Sequence, residues 1–198
     1  AYNWGSYETF LDQCRANRIR PIVVLGYGHP LYTGGPKQGP TTAAARAAFA
    51  AFARAAVARF KGRGVVWEIW NEPNYEPFWE NPDPAAYMAL VDETVAAIRA
   101  EAPEEWVMGP GLAGLDPVFL KACLDRGLLG KVDGVTFHPY RFTSPETVAL
   151  DVAELRGLLA RYPGGATVPL VNTEWGYAIG QNAADQFEQR SLLIRIVG

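Results

Sequence analysis

The sequence contains few of the residues that bind metals or form disulfides: its 198 residues include only two cysteines and two histidines. Cys14 and Cys123 lie in segments with a helical pattern and have no ligand motif beside them, which argues against a metal site. A disulfide and the redox state of the two thiols stay open. Neither His29 nor His138 has a second ligand at helical spacing, so zinc is the weaker interpretation. We expect neither a metal nor another cofactor.

An excess of positive charge and a long apolar run are also missing. The formal net charge is −3 at pH 7, with no stripe of lysine and arginine, so nucleic acid is not an expected partner. The most apolar stretch, Ala43 to Phe60, contains three arginines, and no membrane span is expected. Hydrophobic residues make up 49% of the chain, as in folded globular proteins, and no linker or repeat interrupts it. We predict one domain over residues 1–198.

Apolar segments of strand length alternate with amphipathic segments along the chain. The apolar segments predict strands at residues 20–27, 65–71, 106–111, 132–138 and 168–174. The amphipathic segments predict a helix at residues 6–17, a long helix capped by Thr41 or Thr42, helices beginning at Asp83-Pro84, Asp116-Pro117 and Ser144-Pro145, and a last helix from about Ala183. This alternation implies an α/β fold with right-handed crossovers and a parallel sheet.

Two architectures fit this order: an open five-stranded sheet, or part of an eight-stranded (β/α)8 TIM barrel. No glycine-rich phosphate loop opens a helix, no motif marks a point where the strand order reverses, and polar residues follow at least four strands. These features favour the barrel. Because the sequence begins without an initiator methionine, a signal peptide or a first strand, we expect the barrel to be incomplete.

Two of the predicted strands end in a glutamate. Strand alternation in Trp67-Glu68-Ile69-Trp70-Asn71-Glu72-Pro73-Asn74 places Glu68, Trp70 and Glu72 on one face, and Pro73 ends the strand where Glu72 emerges. The segment Leu170 to Gly176 ends in the same way at Glu174. Since the carboxyl ends of parallel strands meet at one edge, Glu72 and Glu174 can face one cleft.

A pair of carboxyl groups suits the hydrolysis of glycosides. One group must be protonated to release the leaving sugar, and the other must be ionised to attack or stabilise the anomeric carbon. An ionised Glu174 would keep a neighbouring Glu72 protonated at neutral pH. The alternative is that each glutamate only caps the following helix or pairs with an arginine, which is a good account of one isolated glutamate and a poor one of this pair.

These two segments resemble the strand-four and strand-seven motifs of the clan A glycoside hydrolases. Asn71-Glu72-Pro73 matches the Asn-Glu-Pro of strand four, and Asn172-Thr173-Glu174-Trp175-Gly176 matches the nucleophile segment of strand seven. Within the clan the chain is most similar to family 39, with family 5 as its neighbour. The resemblance implies an eight-stranded barrel of which strands 3 to 7 are present and strands 1, 2 and 8 are absent.

The resemblance also implies a retaining mechanism and roles for individual residues. Glu72 would be the general acid/base, Glu174 the nucleophile with its carboxyl group about 5–5.5 Å away, and Asn71 a hydrogen-bond partner of the sugar 2-hydroxyl or of the nucleophile. His138-Pro139-Tyr140 resembles the His-x-Tyr of strand six. In that motif the tyrosine hydroxyl orients the nucleophile and the histidine lines the site, so we expect Tyr140 to hydrogen-bond Glu174.

Several other residues near strand ends are candidates for substrate contact. The aromatic candidates for stacking on sugar rings are Tyr27, Tyr75, Trp79, Trp175 and Tyr177, with Trp79 and Trp175 foremost. Ordinary packing is the alternative for each of them, and a histidine bonded to loop backbone is the alternative for His29 and His138. Arg141 can reach an acidic sugar or hold a carboxylate. Glu68 is expected inside the barrel, where its charge needs a basic partner from an absent strand.

The expected partner is therefore a carbohydrate, an oligosaccharide or a polysaccharide. A non-catalytic carbohydrate-binding barrel and an inactive barrel fragment are the alternatives to a glycosidase. The sequence does not indicate the sugar, the linkage, endo or exo action, or the oligomeric state, and only the substrate class favours a secreted or periplasmic location. Five strands cannot close a barrel, so we expect the isolated chain to be weakly stable, inactive and prone to self-association through open sheet edges.

Overall fold

The computed structural model describes residues 2–177, and the helix expected from about Ala183 lies outside this range. Helices and strands alternate as expected. In chain order they are α1 (Gly5–Ala16), β1 (Ile22–Leu25), α2 (Pro30–Thr33), α3 (Ala43–Phe60), β2 (Val66–Ile69), α4 (Pro84–Glu101), β3 (Trp106–Ala113), α5 (Pro117–Leu124), β4 (Gly134–His138), α6 (Val148–Leu159) and β5 (Leu170–Asn172). Two short 3-10 helices, Leu128–Gly130 and Pro145–Thr147, precede β4 and α6.

The five strands form one parallel sheet in the order β1-β2-β3-β4-β5. Because the spatial order follows the chain order without a reversal, successive right-handed crossovers place their helices on the same face. The helices α3, α4, α5 and α6 accordingly pack side by side in one layer. An open doubly wound sheet would reverse its order at one point and carry helices on both faces. The sheet is therefore five consecutive strands of a (β/α) barrel, as the sequence predicted.

Side-chain caps explain where most of the helices begin. Thr42 accepts a hydrogen bond from the backbone N–H of Ala45, and the carboxylates of Asp83 and Asp116 cap α4 and α5 before the proline that opens each helix. The corresponding prediction for Ser144 was wrong. Ser144 makes no side-chain cap, and Pro145 opens a 3-10 helix from which α6 continues.

The core lies between the sheet and the helix layer. Ile69 of β2 is fully buried and belongs to the same apolar cluster as Val57 of α3 and Val91 of α4. A substitution such as Ile69→Ala would cost about 2–5 kcal/mol of stability. Cys14 and Cys123 are buried within α1 and α5 and are not bonded to each other. Burial raises the pKa of the Cys123 thiol to about 12, so this thiol is unreactive at neutral pH. Within the described residues no helix is long and apolar enough to cross a membrane.

Within the described residues, β1 and β5 are the outer strands of the sheet. Ile22 and Val24 of β1 are 39% and 42% exposed. Val24 is paired laterally with Glu68 of β2, so these two exposed side chains lie on the face of the sheet that carries Glu68. The other side of β1 packs on the helix layer, as Leu25 is buried. An apolar edge strand of this kind is a template for pairing with another chain.

We expect the 198-residue chain to self-associate through this edge. Ile22→Lys should shift the chain toward monomer, because a lysine on an edge strand opposes further strand pairing. Val118→Lys is the matched control, since Val118 is 79% exposed on α5, away from the edge. Size-exclusion chromatography with light scattering over a range of concentrations measures the effect. A wild-type chain that stays monomeric at every concentration would contradict the expectation.

Candidate active site

The carboxyl ends of β2, β4 and β5 meet at an open cleft of about 740 Å³. Its lining combines two carboxylates with aromatic side chains, namely Glu72, Tyr75, Phe78, Tyr140, Phe142 and Glu174. The two glutamates that the sequence singled out therefore face one cleft, although they leave different strands. Within the described residues, neither carboxylate forms an ion pair with an arginine, so the arginine-pairing alternative does not apply.

A backbone bend at the end of β2 brings Glu72 into the cleft. Trp70 and Glu72 have φ angles of 67° and 50°, in the left-handed region that residues other than glycine rarely adopt. Each such conformation costs roughly 1–3 kcal/mol and is often found at functional sites. Two backbone hydrogen bonds hold the bend, because the N–H of Trp70 donates to the carbonyl of Leu25 and that of Glu72 to the carbonyl of Gly111, both at 2.9 Å.

The bend corrects the expectation that Glu68, Trp70 and Glu72 share one face. The Trp70 ring is fully buried on the helix side, with its centroid 5.8 Å from that of Phe49 on α3. Simple strand alternation fails here because β2 ends at Ile69, before Trp70. The carboxylates of Glu68 and Glu72 still share a hydrogen-bond network behind the cleft.

His138, the last residue of β4, lies between the two cleft glutamates. Its ring is buried, with Nδ1 2.9 Å from Oε1 of Glu72 and 3.7 Å from Oε2 of Glu174. These two oxygens consequently lie at most about 6.6 Å apart, since 2.9 Å and 3.7 Å separate them from one nitrogen atom. The carboxyl groups are close enough to act on the two sides of a single atom of a bound molecule.

Tyr140 binds the second glutamate directly. Its hydroxyl group donates to Oε1 of Glu174 at 2.7 Å, which confirms the hydrogen bond expected from the sequence. Partial burial and this hydrogen bond raise the pKa of Tyr140 to about 12. The hydroxyl group therefore keeps its proton throughout the neutral range and remains a donor to Glu174.

Glu68 is buried behind the cleft, and its partners are hydroxyl groups. Thr173 donates to Oε1 of Glu68 at 2.9 Å, and Thr136 of β4 forms a second hydrogen bond to the same carboxyl group. Within the described residues the partners of Glu68 are thus two hydroxyl groups, and the basic residue expected from an absent strand stays a prediction. Burial nevertheless raises the pKa of Glu68 above its usual value of 4.5, against the effect of the two hydroxyl groups.

This raised pKa predicts a pH-dependent contribution of Glu68 to stability. Above about pH 4.5 the unfolded chain loses the Glu68 proton while the folded chain retains it, so the free energy of unfolding falls as the pH rises toward the folded-state pKa. Glu68→Gln removes this titration, because glutamine has no ionisable proton. The free energy of unfolding of the variant should therefore rise relative to that of wild type between pH 4 and neutral pH. Urea unfolding at several pH values measures it, with the exposed Glu154→Gln as control. A difference that does not change with pH would contradict the raised pKa.

The two tryptophans expected to stack on sugar rings do not line the cleft. Trp79 is fully buried, with its centroid 5.4 Å from that of Trp70 and its ring packed on Gly39, where a Cβ atom would clash. Its role is in the core, so the expectation of a sugar contact was wrong. Trp175 packs beside Arg141, whose guanidinium carbon is 5.5 Å from the ring centroid, and lies outside the cleft lining.

The remaining sequence candidates divide between the cleft and its surroundings. Tyr177 lines the cleft and donates to the carbonyl of Thr143. Arg141 is held by Asp151 and by Thr147, which supports the carboxylate-holding alternative. Asn71 is buried beside Glu72 and, within the described residues, makes no hydrogen bond to Glu174.

Tyr27 and His29 line a neighbouring pocket of about 340 Å³ at the end of β1. The ring nitrogen Nδ1 of His29 accepts a hydrogen bond from the N–H of Leu31 and so caps α2, as in the loop-backbone alternative. Tyr27 lies close enough to the two cleft glutamates for their charges to act on its hydroxyl group. Burial raises the pKa of Tyr27, and the charges of Glu174 and Glu72 raise it further.

Three residues that the structure brings to the site were not predicted from the sequence. Phe78 and the fully exposed Phe142 line the cleft, and Thr173 joins Glu68 to His138. Phe142 follows the His138-Pro139-Tyr140 segment by two residues, and this proximity was the available signal. Thr173 directly precedes Glu174 in the segment that resembles strand seven of the clan. Among the described residues, no group of three or more His, Cys, Asp and Glu side chains has a metal-binding arrangement.

Comparisons with known proteins agree with this arrangement. The family described as "Glycosyl hydrolases family 39" matches residues 1–157. The β-xylosidase of Geobacillus stearothermophilus is 26% identical in an alignment of 161 residues, which covers 73% of this chain and 32% of that enzyme. The crystal structure of a family 39 enzyme from Xanthomonas axonopodis pv. citri is similar with a TM-score of 0.75 and 29% identity, covering 90% of this chain and 41% of that one.

A further solved structure, a family 39 β-xylosidase from Caulobacter crescentus, has a TM-score of 0.76 and 27% identity and covers 100% of this chain and 46% of that enzyme. The chain thus spans about a third of the length of the curated relative and less than half of the length of these solved enzymes. The similarity extends over both the sequence and the fold.

Proposed function

The chain belongs to glycosyl hydrolase family 39, and from this membership and the geometry of the cleft we propose that the protein is a retaining glycoside hydrolase. Glu72 is the general acid/base and Glu174 the nucleophile. The observation that carries the proposal is the position of His138, whose Nδ1 atom is 2.9 Å from Glu72 and 3.7 Å from Glu174. The resulting upper limit of about 6.6 Å between the two oxygens is compatible with the roughly 5–5.5 Å of a double displacement, whereas inversion needs about 6.5–9.5 Å.

The reaction proceeds in two steps. In the first, a carboxylate oxygen of Glu174 attacks the anomeric carbon and the bond to the leaving oxygen breaks, while Glu72 gives its proton to that oxygen. In the second, water attacks the anomeric carbon, Glu72 takes a proton from the water, and the ester bond to Glu174 breaks. The product keeps the configuration of the substrate, and both carboxyl groups return to their starting state.

The neighbouring side chains suit this reaction. The Tyr140 hydroxyl group holds Oε1 of Glu174 at 2.7 Å, and Oε2, which accepts no hydrogen bond within the described residues, makes the attack. Tyr75, Phe78 and Phe142 give the cleft flat apolar walls, on which the C–H faces of sugar rings pack well. We propose that Asn71, which is buried beside Glu72, binds a substrate hydroxyl group.

The substrate class follows from the relatives. Two of the similar enzymes are described as β-xylosidases, so we propose that the protein cleaves glycosidic bonds of an oligosaccharide or polysaccharide and that β-xylosides are the first substrates to test. A non-catalytic carbohydrate-binding barrel would not require both carboxyl groups, and their joint presence in one cleft counts against it.

The stereochemistry of the first product tests the proposal. The full-length protein is incubated with an aryl β-xyloside, and proton NMR records the anomer that appears before mutarotation. The proposal predicts the β anomer. Release of the α anomer would show inversion and contradict the nucleophile role of Glu174, whereas saturable binding without hydrolysis would favour a carbohydrate-binding barrel.

Tyr140→Phe removes the hydroxyl group that orients Glu174. We expect kcat/KM to fall roughly 10- to 100-fold, because a misplaced nucleophile reacts much more slowly, with little change in the melting temperature. Tyr162→Phe is the matched control, since the Tyr162 hydroxyl also binds a carboxylate, that of Asp125, at an exposed site far from the cleft. Equal activity in Tyr140→Phe and wild type would remove the positioning role.

A further inference from the structure

Four side chains form a continuous hydrogen-bonded chain from the buried interior to the cleft. Oε1 of Glu68 accepts from the Thr173 hydroxyl at 2.9 Å, Thr173 Oγ1 lies 3.2 Å from Nε2 of His138, and His138 Nδ1 lies 2.9 Å from Oε1 of Glu72. Glu68, His138 and Glu72 are all buried. Thr173 and Glu68 do not line the cleft. Through His138 they nevertheless contact Glu72, because Nδ1 of His138 lies beside Oε1 of Glu72.

The direction of donation along these hydrogen bonds is set at the buried end, at Glu68. The N–H of Gly111 donates to Oγ1 of Thr136 at 2.7 Å, which leaves the hydrogen of that hydroxyl group for Glu68. When Glu68 is ionised, above its raised pKa, it therefore accepts from two hydroxyl donors. A threonine has one hydroxyl hydrogen, and Thr173 gives it to Glu68, so it presents only lone pairs to His138. The hydrogen bond at Nε2 then requires that Nε2 carries the ring proton.

This direction has a consequence at the other ring nitrogen. When a neutral imidazole carries its proton on Nε2, Nδ1 is an acceptor. A contact of 2.9 Å between Nδ1 of His138 and Oε1 of Glu72 is then favourable if Glu72 is protonated and donates, and it is repulsive if Glu72 is a carboxylate. If the ring proton were on Nδ1 instead, it would stabilise the carboxylate.

We propose that Glu68 and Thr173 are positioning residues that hold the proton of His138 on Nε2, so that Nδ1 accepts a hydrogen bond from the protonated carboxyl group of Glu72. The consequence for catalysis rests on the proposed acid/base role of Glu72. The protonated acid is favoured before the first step. After Glu72 has given its proton to the leaving group, its carboxylate faces a lone pair, and this contact is relieved when Glu72 takes a proton from the attacking water.

Nitrogen-15 NMR of the histidine side chains tests the assignment without requiring turnover. In the full-length protein, the signals that disappear in His138→Gln are assigned to the ring of His138. At a pH where the ring is neutral and Glu68 is ionised, the proposal predicts the proton on Nε2. Thr173→Ser should keep this form, while Thr173→Val, which has the same shape without the hydroxyl group, should show a mixture or the proton on Nδ1.

The wild-type spectrum alone can overturn the proposal, because a neutral ring with its proton on Nδ1 contradicts it whether or not the variants fold. An unchanged tautomer in a folded Thr173→Val protein would also contradict it. A folded Thr173→Val protein that moves to Nδ1, together with a Thr173→Ser protein that does not, supports the chain of hydrogen bonds over a general packing role for Thr173.

The pH–rate profile tests the catalytic consequence. The basic limb of kcat/KM reports loss of the proton from the free enzyme's acid, so Thr173→Val should move this limb to lower pH by about one unit, the effect of a hydrogen bond to a charged group. Thr173→Ser should leave it in place. The titratable groups that face His138 and Glu72 within the described residues are Glu68, Glu174, Tyr140 and Tyr27, and none of them differs between the two variants.

The two tests separate the inference from the proposed function. A tautomer on Nε2 that depends on Thr173 in a protein without glycosidase activity would support the positioning role and contradict the function. An active retaining enzyme in which Thr173→Val changes neither the tautomer of His138 nor the basic limb of kcat/KM would support the function and contradict the positioning role.

Discussion

Glu174→Gln is expected to reduce kcat of the full-length protein by roughly 10⁴-fold or more, toward the background that remains when a nucleophile is lost. The amide has nearly the shape of the carboxylate and can still accept from Tyr140, so folding and substrate binding should persist. It has no negative charge with which to attack the anomeric carbon or to form the ester intermediate. The measurement is kcat on an activated aryl glycoside, compared with the exposed control Glu154→Gln.

Loss of activity in Glu174→Gln has to be accompanied by retained structure. A circular dichroism spectrum and a melting temperature close to those of wild type exclude unfolding as the cause. Substantial turnover by this variant, for example within tenfold of wild type, would remove Glu174 from the role of nucleophile.

The loss of activity in Glu72→Ala is expected to depend on the leaving group of the substrate. Without a general acid, glycosides with poor leaving groups should lose about 10²- to 10⁴-fold in kcat/KM, whereas a dinitrophenyl glycoside, whose leaving group needs no proton, should lose much less. Azide fits the space left by the side chain and requires no general base, so it should restore turnover and give a glycosyl azide with the configuration of the substrate. Rates over a series of phenols, with and without azide, measure both effects.

Glu174→Ala provides the opposite control. With azide, this variant should form a glycosyl azide of inverted configuration, because azide attacks from the face that the nucleophile has vacated. If Glu72→Ala and Glu174→Ala respond identically to leaving group and azide, the two roles are assigned wrongly even if both residues are essential.

The positions of the two cleft glutamates could be predicted because they depend on a general property of the fold. Parallel strands present their carboxyl ends at one edge, so a glutamate after β2 and one after β5 converge without knowledge of the loops. The hydrogen bond between Tyr140 and Glu174 followed from the resemblance of the β4 segment to a known motif. The alternation of helices and strands was readable from local patterns and from the caps at Thr42, Asp83 and Asp116.

The wrong predictions for Trp70 and Trp79 have causes that a regular strand pattern does not contain. Trp70 turns to the helix side because its φ angle of 67° breaks the alternation of β2, and Trp79 enters the core because Gly39 leaves room for its ring. Neither feature is visible in a list of aromatic residues near strand ends. The hydroxyl partners of Glu68 come from β4 and from the segment after β5, so they depend on strand register, which the sequence pattern does not specify.

Covalent labelling identifies the nucleophile. A 2-deoxy-2-fluoro glycoside with a dinitrophenyl leaving group, of the sugar that the full-length protein hydrolyses, slows both steps and lets the glycosyl-enzyme accumulate. Mass spectrometry of the intact protein and of its peptides then locates the label. The account predicts one sugar per chain, attached to Glu174 and absent from Glu174→Gln. A label on another residue, or no label on an enzyme that hydrolyses the parent glycoside, would contradict it.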